Sequence, residues 1–369
     1  APIIGGTDVD PVPSSHGNYF RNTLILAISS GVLPCYTPPI MTLVLGHISA
    51  LEYWLSPPGK PSARVASSAF ELPSKAASAS DVESLSALSP HTFSLPVHAM
   101  TGVTVKNERP DLIAHHLHSA STSARSFYRI SDDLHVCSPE LAFVQMANVL
   151  PLPDLIRLGY ELCGAYSLSE QADGGFFKRR QLVSPRKLQA FVDNSAKIHG
   201  RKSALRALRH ILPNSASPAE TRLAMCLSLP CNLGGFGLPR PVLNHRLNLT
   251  RSEQVVAGRS FVKCDLYWEN GDLGVEYDSD REHTGSDRIS SDAARRGALA
   301  FANTTVITIT RRQYNNLSQM TAIAKELAKL LGVQIRPRCK DYPAKQRTLR
   351  DLLYASPEWE ERRRLRPLP

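Results

Sequence analysis

The chain has 369 residues, 42% hydrophobic and 21% charged, which is enough apolar content for a sizeable core and enough length for about two domains. Its apolar stretches fall short of the roughly 20 residues a membrane helix needs. Seven cysteines scattered from Cys35 to Cys339 argue against a disulfide scaffold and for a reducing cytoplasm, while a net charge of +10 points to a polyanionic partner.

Residues 1 to about 20 are rich in Pro, Gly and Ser and read as a loose arm. The apolar run Thr23–Leu33 follows Arg21 without a small-residue cleavage site, so it reads as buried core rather than a signal peptide. The second half of Leu45–Trp54 reads as a short helix. Residues 55–94, with Pro57-Pro58-Gly59 and many Ser and Ala, read as a linker or poorly ordered insert that completes an N-terminal arm, 1–94.

From 95 to 212 the pattern alternates short strand-like and helical runs, as in a small α/β or α+β recognition or regulatory domain. Leu141–Val149 and Pro153–Cys163 have helical spacing, and Ser138-Pro139 suits a helix start with serine as cap. His115, His116 and His118 lack a carboxylate pattern and read as surface or core histidines. The segment 178–210 holds ten basic residues against Asp193 alone, nearly the whole net charge. Lys202, Arg206 and Arg209 share one helix face, and Leu205, Leu208 and Leu212 take another. A solvated face is the bland reading. The concentration of charge, beside the segment that follows, favours nucleic-acid contact.

Residues 213–337 read as a second compact unit: helix Ala219–Leu229, a glycine-rich turn at Gly234–Gly237, two strands, a helix, a strand and a helix. A basic tail, 338–369, carries Arg362, Arg363, Arg364 and Arg366. Asn270-Gly271 between two alternating runs is a strong hairpin signal. Centring the turn there pairs Trp268 with Leu273, Leu266 with Val275 and Cys264 with Tyr277 on one apolar face. The other face then sets Asp265 opposite Glu276 and Lys263 opposite Asp278. Facing carboxylates repel. A divalent cation such as Mg²⁺ is one compensation and simple solvation the other, and the hairpin alone leaves both open.

Glu220, Asp265, Glu276-Tyr277-Asp278, His283, Asp292, Arg295 and Arg311, in that order, resemble the restriction-endonuclease-like PD-(D/E)XK superfamily, in its very-short-patch-repair branch. Upstream, Ser138-Pro139-Glu140-Leu141 resembles abortive-infection, type IV toxin–antitoxin related proteins. The resemblance implies an α/β fold whose C-terminal core is a helix, a mixed sheet and a helix. It implies a Mg²⁺- or Mn²⁺-dependent endonuclease cleaving DNA, in defence against phage or other foreign DNA. Asp265 would be the main metal ligand, Glu220 would assist, Glu276 and Asp278 would complete the acidic cluster, and His283 would activate water or protonate the leaving oxygen. Arg295 and Arg311 would contact phosphate, or Arg295 would pair with Asp292. The motif lysine is replaced by Asp278. Lys263 is the substitute by register, with neutralisation of Asp278 as its rival role. A protein partner is expected at the N-terminal unit. The alternative is a non-catalytic DNA-binding or antitoxin-like module on the same fold.

Overall fold

The computed structural model describes residues 42–56, 64–65, 70–88, 93–118, 124–169, 172–258, 260–278 and 304–354. Thr23–Leu33, His283, Asp292, Arg295 and the arginines from Arg362 lie outside them. The chain is an α/β protein with a smaller N-terminal α/β unit and a C-terminal mixed sheet flanked by helices. Among the described residues no helix is long and apolar enough to cross a membrane.

The N-terminal unit opens with strand β1 (Leu43–Leu45) and helix α1 (His47–Leu55). Next come β2 (Arg64–Val65), α2 (Ala79–Leu88), β3 (Val97–Thr101) and β4 (Ile113–Leu117). Strands β5 (Phe127–Arg129) and β6 (Leu134–Cys137) complete a six-stranded sheet in the order β2-β5-β6-β1-β3-β4. The three residues of β1 are fully apolar and buried because they lie mid-sheet, parallel to β6 and antiparallel to β3. This sheet runs across the boundary expected at residue 94. The Ser- and Ala-rich stretch expected as a linker contains α2, whose start is tied by Ser78 N–H to Asp81 Oδ2 at 2.7 Å. That Ser-x-x-Asp spacing is a helix-start signal hidden by the surrounding composition.

Helix α3 (Pro139–Met146) starts as its sequence dictates: Ser138 Oγ accepts the Leu141 N–H and proline takes the first turn. Helix α4 (Leu152–Leu162) and the hairpin β7 (Tyr166–Leu168) and β8 (Phe176–Lys178) follow. Helix α5 (Pro185–Asp193) and helix α6 (Arg201–Leu208) carry the basic segment. Lys202, Arg206 and Arg209 are exposed on one face of α6, while Ala204, Ala207 and Leu208 are buried on the other. Arg179 is consumed structurally, donating to the carbonyls of Glu161 and Arg180 and to Ser167 Oγ.

The C-terminal unit runs α7 (Pro218–Ser228), β9 (Val242–Asn248), α8 (Arg251–Ala257), β10 (Phe261–Trp268), β11 (Leu273–Asp278) and β12 (Thr305–Thr310). The sheet order is β12-β11-β10-β9, with β11 and β12 parallel and the other pairs antiparallel. Helices Arg311–Asn315, Leu317–Leu330 and Tyr342–Tyr354 close it. The last of these lies inside the segment expected as a basic tail. Its Leu349 and Leu353 are buried, and the Arg350 guanidinium donates to the Tyr314 carbonyl at 2.8 Å. One apolar core joins both units, from Leu43 through Leu158 and Leu223 to Leu353.

Candidate functional site

Residues Ser217 to Glu220 set the first carboxylate. Ser217 Oγ caps α7 by accepting the Glu220 N–H, and Pro218 supplies the preformed first turn. Glu220 therefore sits in the first turn, buried, with its side chain folded back. It accepts the Ala216 N–H at 2.7 Å, the Ser217 hydroxyl at 3.0 Å and the amide of Asn244. Asn244, left-handed at φ 50°, also donates to the Asn214 carbonyl at 2.9 Å. These donors favour the ionised carboxylate. Burial, and secondly the charge of Asp265, outweigh them and push Glu220 up to about 7.

Asp265 comes from β10. The hairpin register is the one expected, with Trp268 opposite Leu273 and Leu266 opposite Val275. The turn differs: Glu269–Gly271 form a single 3₁₀ turn, and Asp272, not a glycine, takes the left-handed position at φ 42°. The expected faces do not extend past Leu266. Leu266, Trp268, Leu273 and Val275 join the main core, whereas Cys264 packs with Val262, Tyr267 and Leu249 in a separate cluster. The pairing of β10 with β9 likewise skips Asp265 and Asn244. At this interruption Asp265 Oδ2 accepts the backbone N–H of Tyr277 at 2.8 Å.

Glu220 and Asp265 consequently line one cavity of about 620 Å³, together with Arg222, Tyr277, Arg311 and Asn315. Arg311 is exposed at its edge. The Arg222 Nε is buried and has no hydrogen-bond partner among the described residues. Glu276 and Asp278 do not line it. Tyr277 packs against the main core like Leu273 and Val275, so strand alternation carries Glu276 and Asp278 to the opposite face. Lys263 is exposed, paired across β9 with Arg246, and is also absent from the lining. The facing arrangement of Asp265 with Glu276 and Lys263 with Asp278 is corrected accordingly: the strands part at Asp265, and the partner carboxylate comes from α7. Lys202, Arg206 and Arg209 are likewise not in the lining.

No family model, curated protein or solved structure gives a significant match to the chain.

A second constellation lies in the N-terminal sheet. His47, His98 and His116 each bring a ring nitrogen within 4.8 Å of the others, a set capable of coordinating a divalent metal ion. The histidines expected as core or surface residues thus divide. His116 joins this set, while both ring nitrogens of His115 are buried without a hydrogen-bond partner among the described residues. Sequence spacing gave no cue, because the three residues come from α1, β3 and β4. Arg222 and Asn244 carried no motif either. Only the position of Arg222 two residues after Glu220 in the first turns of α7 places it near the same end of that helix.

Proposed function

We propose that the chain is a metal-dependent nuclease that hydrolyses DNA phosphodiester bonds at the cavity between α7 and β10. The observation that carries this reading is the pair Glu220 and Asp265, two carboxylates from different elements brought to one cavity whose other charged lining, among the described residues, is Arg222 and Arg311. Two carboxylates are a hard oxygen donor set of the kind that holds Mg²⁺ or Mn²⁺. Burial and the neighbouring charge resist ionisation of Glu220, which a cation would relieve. When bound, the metal supplies Lewis-acid stabilisation of the charge that develops on phosphoryl oxygens. Asp265 is held rigidly by the Tyr277 N–H, and Glu220 by three donors, which suits ligands that must not move. Arg311, at the cavity edge, is placed to receive a phosphate by a charge-assisted, two-pronged hydrogen bond. The exposed basic face of α6 serves the backbone of a long nucleic acid. His283 and Arg295 belong to the same proposal by resemblance, as does a role in defence against foreign DNA.

The test is cleavage of supercoiled plasmid with Mg²⁺ or Mn²⁺, comparing the wild type with Asp265→Ala and with EDTA. Nicking that requires metal and Asp265 supports the reading; salt-sensitive DNA binding without cleavage overturns it. The second reading is a non-catalytic DNA-binding or antitoxin-like module. One observation favours it: no lysine lines the cavity among the described residues.

A further inference from the structure

The parallel register of β3 and β4 sets His98 beside Ala114 and Met100 beside His116. His98 and His116 are therefore diagonal neighbours on one sheet face. His98 Nδ1 lies 2.8 Å from His116 Nε2, and their rings stack at 4.9 Å. Above them α1 begins at His47, whose ring stacks on His116 at 3.6 Å. The placement of His47 is strongly determined. Its backbone is left-handed at φ 48°, its N–H is held by Gln145 Oε1 at 2.8 Å, and a side chain at the preceding Gly46 would collide with Met100.

Two features set this group apart from an ordinary histidine stack. The His47 Nδ1 is buried and has no hydrogen-bond partner among the described residues. Among the described residues no carboxylate belongs to the group.

We propose that His47, His98 and His116 form a site for one zinc-class divalent ion, which fastens the start of α1 to β3 and β4. An all-imidazole set suits zinc and its neighbours and disfavours Mg²⁺. Metal–nitrogen bonds of about 2.0–2.1 Å put tetrahedral nitrogens about 3.3 Å apart, so the His98–His116 pair opens by only about half an ångström on binding. The fourth tetrahedral position falls to water. This site lies on other elements than the Glu220–Asp265 cavity and does not depend on the nuclease reading.

The test uses the purified full chain, stripped with a chelator and titrated with cobalt(II). One equivalent should give the visible bands of four-coordinate cobalt, and zinc should bleach them and raise the melting temperature. His98→Ala and His116→Ala should weaken binding by more than the roughly 10–100-fold that loss of a merely supporting group costs. Asp265→Ala, and His115→Ala on the opposite face of β4, should keep it. If the histidine variants fail to fold, protection of His47, His98 and His116 from diethylpyrocarbonate by zinc in the wild type gives the same answer. Absence of the cobalt bands at one equivalent, bands unchanged in folded His116→Ala, or no zinc protection would overturn the site.

Discussion

Asp265 and Tyr277 are joined where the hairpin stops being one: the Asp265 carboxylate accepts the Tyr277 N–H at 2.8 Å, one residue beyond the last regular pair of Leu266 with Val275. A side chain thereby takes a backbone donor at the point where β10 and β11 part, and the carboxylate is directed to the cavity shared with Glu220.

Asp265 has a structural duty toward Tyr277 and, in the proposed nuclease, a chemical one, and two substitutions separate them. Asparagine retains an acceptor for Tyr277; alanine leaves that donor unmatched. Asp265→Asn should lose metal-dependent nicking by about 100-fold or more while remaining within about 1 kcal/mol of the wild type. Asp265→Ala should lose the same activity and a further 1–2 kcal/mol or so of stability. Urea unfolding of both variants beside the plasmid assay reads the difference.

Glu220 predicts an unusual pH trend. Its folded value of about 7 lies above the ordinary 4.5, so the folded chain holds a proton that the unfolded chain releases. The stability it contributes is full below pH 4.5 and is lost as pH rises through 7, a difference on the order of 3 kcal/mol. Glu220→Gln should abolish this slope and be more stable than the wild type at pH 8 in EDTA. Denaturant melts at pH 5 and pH 8 check it.

His98 and His116 give the opposite trend. Folded values of about 4 for His98 and about 3 for His116 lie below 6.5, so their stabilisation holds above 6.5 and is lost as pH falls toward 4. In metal-free protein, Glu220→Gln isolates this acid limb. Histidine NMR titrations should show both rings still neutral at pH 5.5.

The basic face of α6 should bind backbone phosphate. Replacing Lys202, Arg206 and Arg209 together by alanine should lower the salt slope of DNA binding by about 2–3, since each phosphate contact contributes about 0.9. Because all three are exposed, the melting temperature should barely move. An unchanged slope in fluorescence anisotropy at several salt concentrations would exclude that face.

Gly234 tests the seat of the helix Tyr342–Tyr354. Its φ is 90°, and an added Cβ would fall 2.3 Å from the Lys345 carbonyl oxygen. Gly234→Ala should cost about 2 kcal/mol or more, read by denaturant unfolding. A neutral result would mean that the helix does not pack there.

Features determined by neighbours in sequence were legible from it. Ser138-Pro139 announced the start of α3, and Ser217-Pro218, just ahead of the helix read from Ala219, is the same signal at α7, because capping needs only a side chain and the next turn. The hairpin register followed from Asn270-Gly271, because a short turn fixes which residues meet. Local composition failed where tertiary packing overrode it. Leu43–Leu45 became the middle of a sheet whose other strands lie far along the chain. The helix Tyr342–Tyr354, polar by average composition, buried its one apolar stripe against the core.

Contacts within a few positions fixed the caps of α3 and α7, the hairpin register and the basic face of α6, so these could be read from the residue order. Which carboxylates meet depended instead on long-range packing. Strand alternation pointed to Glu276 as the companion of Asp265, but the interrupted ladder at Asp265 and Asn244 turned the site toward Glu220 on α7. The same holds for His47, His98 and His116, separated along the chain and joined because β3 pairs with β4 and α1 packs across them. Side-chain chemistry is written residue by residue, whereas a shared site depends on distances between elements, and those are set by how the core closes.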